Sequence, residues 1–438
     1  MPSLLQAFYA LALINLVLAA PHPAQKRSFK VERIANPEYV GRTPGAGTRA
    51  LIHAYNKHSM PLPASLVAAL NSDSNPAFPE GNFKRASTGT STAGAAAPSG
   101  TGGVESGLKS GVVSNLPQPQ DSEYLAQVSI AGQNMTMNFD TGSADFWVFS
   151  TQLPTASQSG HQNFDATKSK TFKPIKGATW SISYGDGSGA AGNVGTDTVE
   201  IGGVTVTEQA IEQATSISKS FVDDTASNGL VGLAFSKLNT VKPTQQKTFF
   251  ENAMAQGLAM PVFTADLRKG TAGSYEFGRI DATKFNGTLR WAAVNTTQGF
   301  WQFSSKKFSV AGGAEVAVPN GEAIADTGTT LMLANSNIVN GYYSKVQGAV
   351  NNQTVGGVTF PCSAKLPDLS IDVGGSFMAV IRGSDINFAP VDATKVTCFG
   401  GLQATPSDLQ IYGDIMFKSQ FVAFNGGNNT IGMAPHQG

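Results

Sequence analysis

Apolar residues in this chain recur mainly at every second position, in short runs broken by glycine, asparagine and serine. Met135, Met137 and Phe139 alternate with Thr136 and Asn138, and comparable runs cover 123–130, 196–201, 204–206 and 308–318. A period of two with such punctuation predicts strands and turns. Helical spacing is rarer, and 246–256 and 335–347 are its better candidates. The pattern predicts an all-β protein. The residues after Arg85 are numerous enough for two lobes of ordinary domain size.

The amino-terminal end reads differently. Residues 1–19 carry no charge, and their apolar run over 11–18 is too short to span a bilayer but suits a signal-peptide core, with cleavage expected after Ala19. From there to Arg85 the chain holds nine Lys/Arg against four acids, a net charge of +5, whereas the remainder holds 21 against 26, or −5. A charge run can be only a solvated face. Dibasic Lys84-Arg85, where the composition shifts to Ser, Thr, Gly and Ala, points instead to a removable propeptide. Lys26-Arg27 is a second such site. The expected organisation is a signal peptide at 1–19, a basic propeptide at 20–85, an amino-terminal lobe at 86–265 and a carboxyl-terminal lobe at 266–438. The mature protein is expected to be secreted and soluble.

Candidate chemistry comes from a repetition. Asp140-Thr141-Gly142-Ser143 and Asp326-Thr327-Gly328-Thr329 are copies of one motif, each following an apolar run and preceding another. Each puts a carboxylate on a tight turn; the glycine admits a close backbone, and the hydroxyls can bond the neighbouring loop. Two carboxylates brought together cannot both ionise comfortably, so they share a proton and leave one acid and one base. Such a pair can activate water against a peptide carbonyl without a metal, a cofactor or a covalent intermediate. Rival chemistries lack their residues. Of five histidines, His22, His53 and His58 precede Lys84-Arg85, leaving His161, expected in a surface loop, and His436. The chain has no Gly-x-Ser-x-Gly, His-Glu-x-x-His or Cys-x-x-Cys sequence.

These motifs, together with 180–188 (Trp-Ser-Ile-Ser-Tyr-Gly-Asp-Gly-Ser), 228–235 around Leu230-Val231-Gly232, and 411–415 around Ile411-Tyr412-Gly413, occur in one order. In that order the chain resembles the pepsin-family aspartic endopeptidases, most nearly the secreted fungal penicillopepsin- and aspergillopepsin-type enzymes, from Ala86 to the end. The resemblance implies a bilobal fold with two pseudo-twofold related β lobes, each supplying one Asp to a central cleft. It implies catalytic Asp140 and Asp326, supported by Thr141, Ser143, Thr327 and Trp147. Tyr184, Gly185, Asp186 and Ser188 would form a flap over the cleft, with Trp147 bonded to Tyr184. Gly142, Gly328 and Thr329 would hold an extended peptide as an added strand, and Phe221 and Leu230 would wall the pocket before the scissile bond. Asp186 would receive a substrate lysine there; read alone it satisfies turn geometry.

The function so implied is acid proteolysis by a monomeric zymogen, with protein and peptide substrates, its own propeptide as intramolecular inhibitor, pepstatin-type inhibitors, and no nucleic-acid or membrane partner. The alternative is a catalytically silent binding or inhibitor protein of the same fold. Cys362 and Cys398 read as a disulfide, which suits the carboxyl-terminal lobe of that family. Asn134, Asn286, Asn295, Asn352 and Asn428 each open an N-glycosylation sequon.

Overall fold

A computed structural model describes residues 45–70, 109–118, 123–183 and 189–437. The expected signal peptide, the Lys84-Arg85 processing site, and Tyr184, Gly185, Asp186 and Ser188 of the expected flap lie outside the described residues.

The alternating run before Asp140 forms the strand Gln133–Asp140, burying Met135, Met137 and Phe139. It pairs antiparallel with Tyr124–Ile130, with Ile130 opposite Gln133. The two residues between them, Ala131 and Gly132, both have positive φ (49° and 80°), the backbone that matches strand twist in a two-residue hairpin. That tight turn sets the register that delivers Asp140 to the strand end.

Beside it runs Gly229–Gly232, parallel to the Asp140 strand and antiparallel to Phe146–Val148 on its other side. Asp140 is thereby opposite Gly232, where an added Cβ would lie 2.6 Å from the Ala144–Asp145 backbone. The second half repeats this arrangement. Glu322–Ala325 pairs parallel with Leu409–Tyr412, and Met332–Ala334 pairs antiparallel with the same strand. Gly413 closes it, its Cβ position 2.0 Å from the Thr329 carbonyl oxygen.

One sheet runs through both halves. Its strands Gly111–Pro117, Gly273–Phe277, Val262–Asp266 and Gln420–Asn425 pair antiparallel in that order. Beneath it Phe263 stacks on Phe424 at 4.5 Å, with Trp301 edge-on to both. Each such aromatic, fully buried, contributes about 1.5–3 kcal/mol. Helices Phe249–Ala255 and Ser336–Tyr343 fall within the two predicted spans. The 308–318 run is divided: Lys307–Val310 and Val316–Ala317 pair with each other, because Ala311 and Gly312 take positive φ and turn the chain. Cys362 and Cys398 are joined, tying Gly357–Pro361 to Thr397–Gly400 across a sequence separation of 36. In the chain-entropy account such a loop closure stabilises by about 3–4 kcal/mol.

The helix Ala46–Lys57 lies on this part of the carboxyl-terminal half. Its buried face is Gly47, Thr48, Leu51, Ala54 and Tyr55, a helical spacing built largely from small and hydroxyl residues. Gly45 N donates to Val391 O (3.0 Å), Thr48 Oγ1 to Val355 O (2.9 Å) and Tyr55 Oη to Ala404 O (2.9 Å). Gly47 meets Phe399 where a Cβ would be 2.2 Å from the ring, so only glycine lets the helix settle this close. The helix ends at Lys57, and the chain turns back so that Met60 N reaches Tyr55 O at 2.8 Å.

Candidate active site

The two Asp loops meet face to face. Thr141 Oγ1 donates to Ala325 O (2.8 Å) and Thr327 Oγ1 to Phe139 O (2.7 Å); each hydroxyl also accepts the other threonine's N–H, at 3.0 and 3.1 Å. Every hydrogen bond of this set crosses between the halves and is buried. Each carboxylate is then held alike by its own loop. Asp140 accepts from Gly142 N (2.8 Å) and Ser143 Oγ (2.7 Å), and Asp326 from Gly328 N (2.9 Å) and Thr329 Oγ1 (2.6 Å). A Cβ on Gly142 would sit 2.5 Å from Asp326 Oδ1, and one on Gly328 would sit 2.4 Å from Asp140 Oδ1. The glycines are therefore what allow the opposite carboxylate to approach.

Lys57 enters this space from the helix end. Its Nζ lies 2.8 Å from Asp140 Oδ1 and 2.8 Å from Asp326 Oδ1, while His58 Nε2 is 2.9 Å from Asp326 Oδ2 and 3.2 Å from Thr329 Oγ1. The electrostatics are uneven. Burial, together with the neighbouring Asp326, keeps Asp140 above its ordinary range in spite of Lys57. Burial would raise Asp326 too, but Lys57 and His58 hold it well below that range. Burial likewise opposes the Lys57 charge, and the two carboxylates outweigh it, so its pKa is raised. The two carboxyls are thus set apart in acidity, Asp140 above and Asp326 below the ordinary range.

A cavity opens beside Asp140, lined by Trp147, Phe149, Phe221, Leu230 and Gly328. Phe221 packs edge-on against Trp147 at 5.2 Å, and Trp147 stacks on Trp180 at 6.0 Å. Trp147 Nε1 is buried with no acceptor among the described residues. The strands on either side of the flap tip, Lys173–Ser183 and Gly189–Ile201, pair antiparallel up to Ser183 opposite Gly189.

Four carboxyls near the site escaped the sequence reading. Glu123 and Asp224 line the cavity. Burial and the nearby Asp224 push Glu123 up to about 8, and Lys57 works against the rise. Asp224 is itself raised by burial. Behind the Asp140 loop, Asp145 and Glu212 are both fully buried, and Asn239 Nδ2 donates to each, at 3.0 and 2.9 Å. Thr240 N also donates to Asp145, while Glu212 Oε2 has no hydrogen-bond partner among the described residues. Burial lifts Asp145 to about 6 and Glu212 well above its usual value. Nothing local in sequence marks these residues; only the fold gathers them.

His161 lies in a loop, as expected, and is half-buried there. It stacks on Phe149 at 3.7 Å, with one ring nitrogen 3.0 Å from Ser227 O and the other 3.1 Å from Val222 O, so it braces the segment carrying Phe221. Among the sequon residues Asn134, Asn286, Asn295 and Asn428 are exposed and Asn352 is half-buried; Asn286 Nδ2 donates to His436 O at 3.1 Å. No group of side chains among the described residues has the makings of a metal site, and no described helix is long and apolar enough to cross a membrane.

Comparison with known proteins agrees with this geometry. Residues 123–436 match the eukaryotic aspartyl protease family. The chain is 43% identical to an aspartic protease of Coccidioides posadasii, over 97% of this chain and 94% of the relative. It is 47% identical to penicillopepsin-1 of Penicillium rubens, over 76% and 82%, and 41% identical to endothiapepsin of Cryphonectria parasitica, over 93% and 90%.

Proposed function

The chain belongs to the eukaryotic aspartyl protease family and is an aspartic endopeptidase; from that premise we propose that Asp140 and Asp326 are its catalytic pair and that Lys57 holds them in a latent, secreted zymogen. The observation that carries this reading is one ammonium within 2.8 Å of both carboxylates, at the end of a helix from the basic segment. Once Lys57 withdraws, the pair shares a proton. Water adds to the scissile carbonyl carbon as the ionised carboxylate takes its proton and the protonated one gives a proton to the carbonyl oxygen. Collapse of the tetrahedral intermediate breaks the C–N bond: the leaving nitrogen receives the proton taken from water, and one hydroxyl of the diol returns its proton to the carboxylate that had given it, restoring the shared-proton pair. Asn in place of either aspartate is nearly isosteric and cannot perform that exchange. Asp140→Asn and Asp326→Asn are each expected to remove acid cleavage of denatured haemoglobin or casein while the fold persists; activity in either purified variant would refute the assignment.

Latency follows from the sign of the shift. A carboxylate depressed by pairing stabilises the closed state above its unpaired pKa, and that stabilisation is lost as pH falls through the depressed value. Asp326 is the depressed group, so acid releases the Lys57 lock. The opposite net charges of segment 20–85 and the remainder act in the same direction. Processing is assigned to Lys84-Arg85, and the lobes to 86–265 and 266–438.

For specificity we assign large apolar residues, and lysine, to the position before the cut. Phe221 and Leu230 supply the apolar wall, with Asp186 at the flap tip and Glu123 and Asp224 in the cavity as carboxyls for a cation. A charge-assisted hydrogen bond there contributes about 1.5–3 kcal/mol. Lys57 already lowers the Glu123 pKa, so that pocket responds to a nearby ammonium.

A further inference from the structure

We propose that the face of the carboxyl-terminal half now covered by the helix Ala46–Lys57 serves, after that helix has left, as an exosite for protein substrates. Its occupant would be an amphipathic helix rich in small and hydroxyl residues, whose following residues enter the cleft. The inference rests on the reading of the helix as a removable prosegment.

The face is built to receive a helix closely. Phe399 leaves room for a backbone and none for a Cβ at Gly47. Three main-chain carbonyls, of Val355, Val391 and Ala404, accept from a hydroxyl, a helix-start N–H and a phenol, respectively. These donors are uncharged. Tyr55, the titratable one among them, is pushed up by burial to about 12 and remains a donor in acid. The contacts that acid breaks are those of Lys57 with the aspartates, one residue beyond the helix face. Helix docking and the acid-labile lock are therefore separate parts of one interface. Because Lys57 directly follows Asn56 and reaches both carboxylates, a helix seated here delivers the next residues of its chain to the catalytic pair. The partner so described has a glycine against Phe399, a hydroxyl next to it, and an apolar and a phenolic residue further along the same face.

The test uses enzyme processed from the full chain by acid and a cleavable octapeptide presented in three forms. One is the octapeptide alone, one carries residues 45–56 of this chain ahead of it, and one carries the same arm with Gly47→Val and Tyr55→Phe. All substitutions are in the substrate, so folding of the enzyme is untouched. Pepstatin-sensitive cleavage of the bare octapeptide isolates any failure of the active-site reading. The native arm is expected to lower KM about tenfold, the equivalent of one net hydrogen bond, with kcat unchanged, and the substituted arm to restore the KM of the bare peptide. Equal KM for both arms would overturn the proposal. So would a native arm that inhibits octapeptide cleavage without being cut itself, since the face would then only readmit an inhibitor.

Discussion

Replacing Asp145 by Asn should extend the stability of the amino-terminal half toward neutral pH. Asp145 is fully buried, and burial raises its pKa from 3.8 to about 6. A carboxyl raised in the folded state lends stability that is present below its unfolded pKa and is lost as pH climbs through the folded value. The window runs from about pH 4 to somewhat above 6, and a rise of about two units at 1.36 kcal/mol each amounts to about 3 kcal/mol. Asn has no proton to lose. Its oxygen can still accept from Thr240 N and Asn239 Nδ2, and its amide can donate toward the unpartnered Glu212 Oε2. The assay is urea unfolding at pH 4, 5.5 and 7.5 in an Asp326→Asn background, which prevents self-digestion, with Trp147 and Trp180 reporting from the adjacent hydrophobic cluster. Native Asp145 should lose about 3 kcal/mol more than Asn across that range. Parallel pH profiles for the two proteins would show that the charge of Asp145 is not what limits stability at neutral pH.

Lys57→Ala should raise the pH of half-maximal self-processing by about one unit or more, because Asp326 loses the ammonium that depresses it; an unchanged half-point, read by gel after pH jumps, would exclude Lys57 as the lock. Asp186→Asn should lower cleavage after Lys about tenfold to a hundredfold and spare cleavage after Phe; equal loss of both on a peptide pair would mean that the residue shapes the flap. Glu123, pushed up to about 8, stays protonated between pH 3 and 6 and can serve a lysine there only as an uncharged acceptor; Glu123→Gln should therefore leave the ratio of Lys to Phe cleavage unchanged across that range, and a ratio that falls in the variant would show that Glu123 acts as an ionised carboxylate.

The Asp loops were legible because their chemistry is local: two copies of one motif, each behind an apolar run, suffice to place a carboxylate on a turn. The strand before Asp140 was readable for the same reason, since Met135, Met137 and Phe139 announce its buried face. The helix Ala46–Lys57 was not. Gly47, Thr48 and Ala54 form a face that is apolar only in the company of Phe399 and Leu51, so its helical period is faint without the partner surface. The helix that aims Lys57 at the aspartates is for that reason not marked in the sequence. Asp145 stands two residues after the first Asp motif, yet its meaning depends on Glu212 and Asn239, which arrive by strand pairing and loop packing. Glu123 and Asp224 are unremarkable acids along the chain and become a pair only where the cavity gathers them. The loop position of His161 was legible and its bracing contacts were not, because its partners are main-chain carbonyls, which carry no side-chain signature.

The reciprocal threonine bonds make the site a joint product of residues 186 positions apart, since Thr141 and Thr327 each complete the other's loop. Two separate chains meeting in this way would come apart on dilution. Here the connecting polypeptide holds the second loop near the first at an effective concentration on the order of millimolar or above, whatever the concentration of the protein. Assembly of the Asp140–Asp326 pair is thus unimolecular. An enzyme released into a large volume keeps its site intact one molecule at a time, and its specific activity should not fall as it disperses.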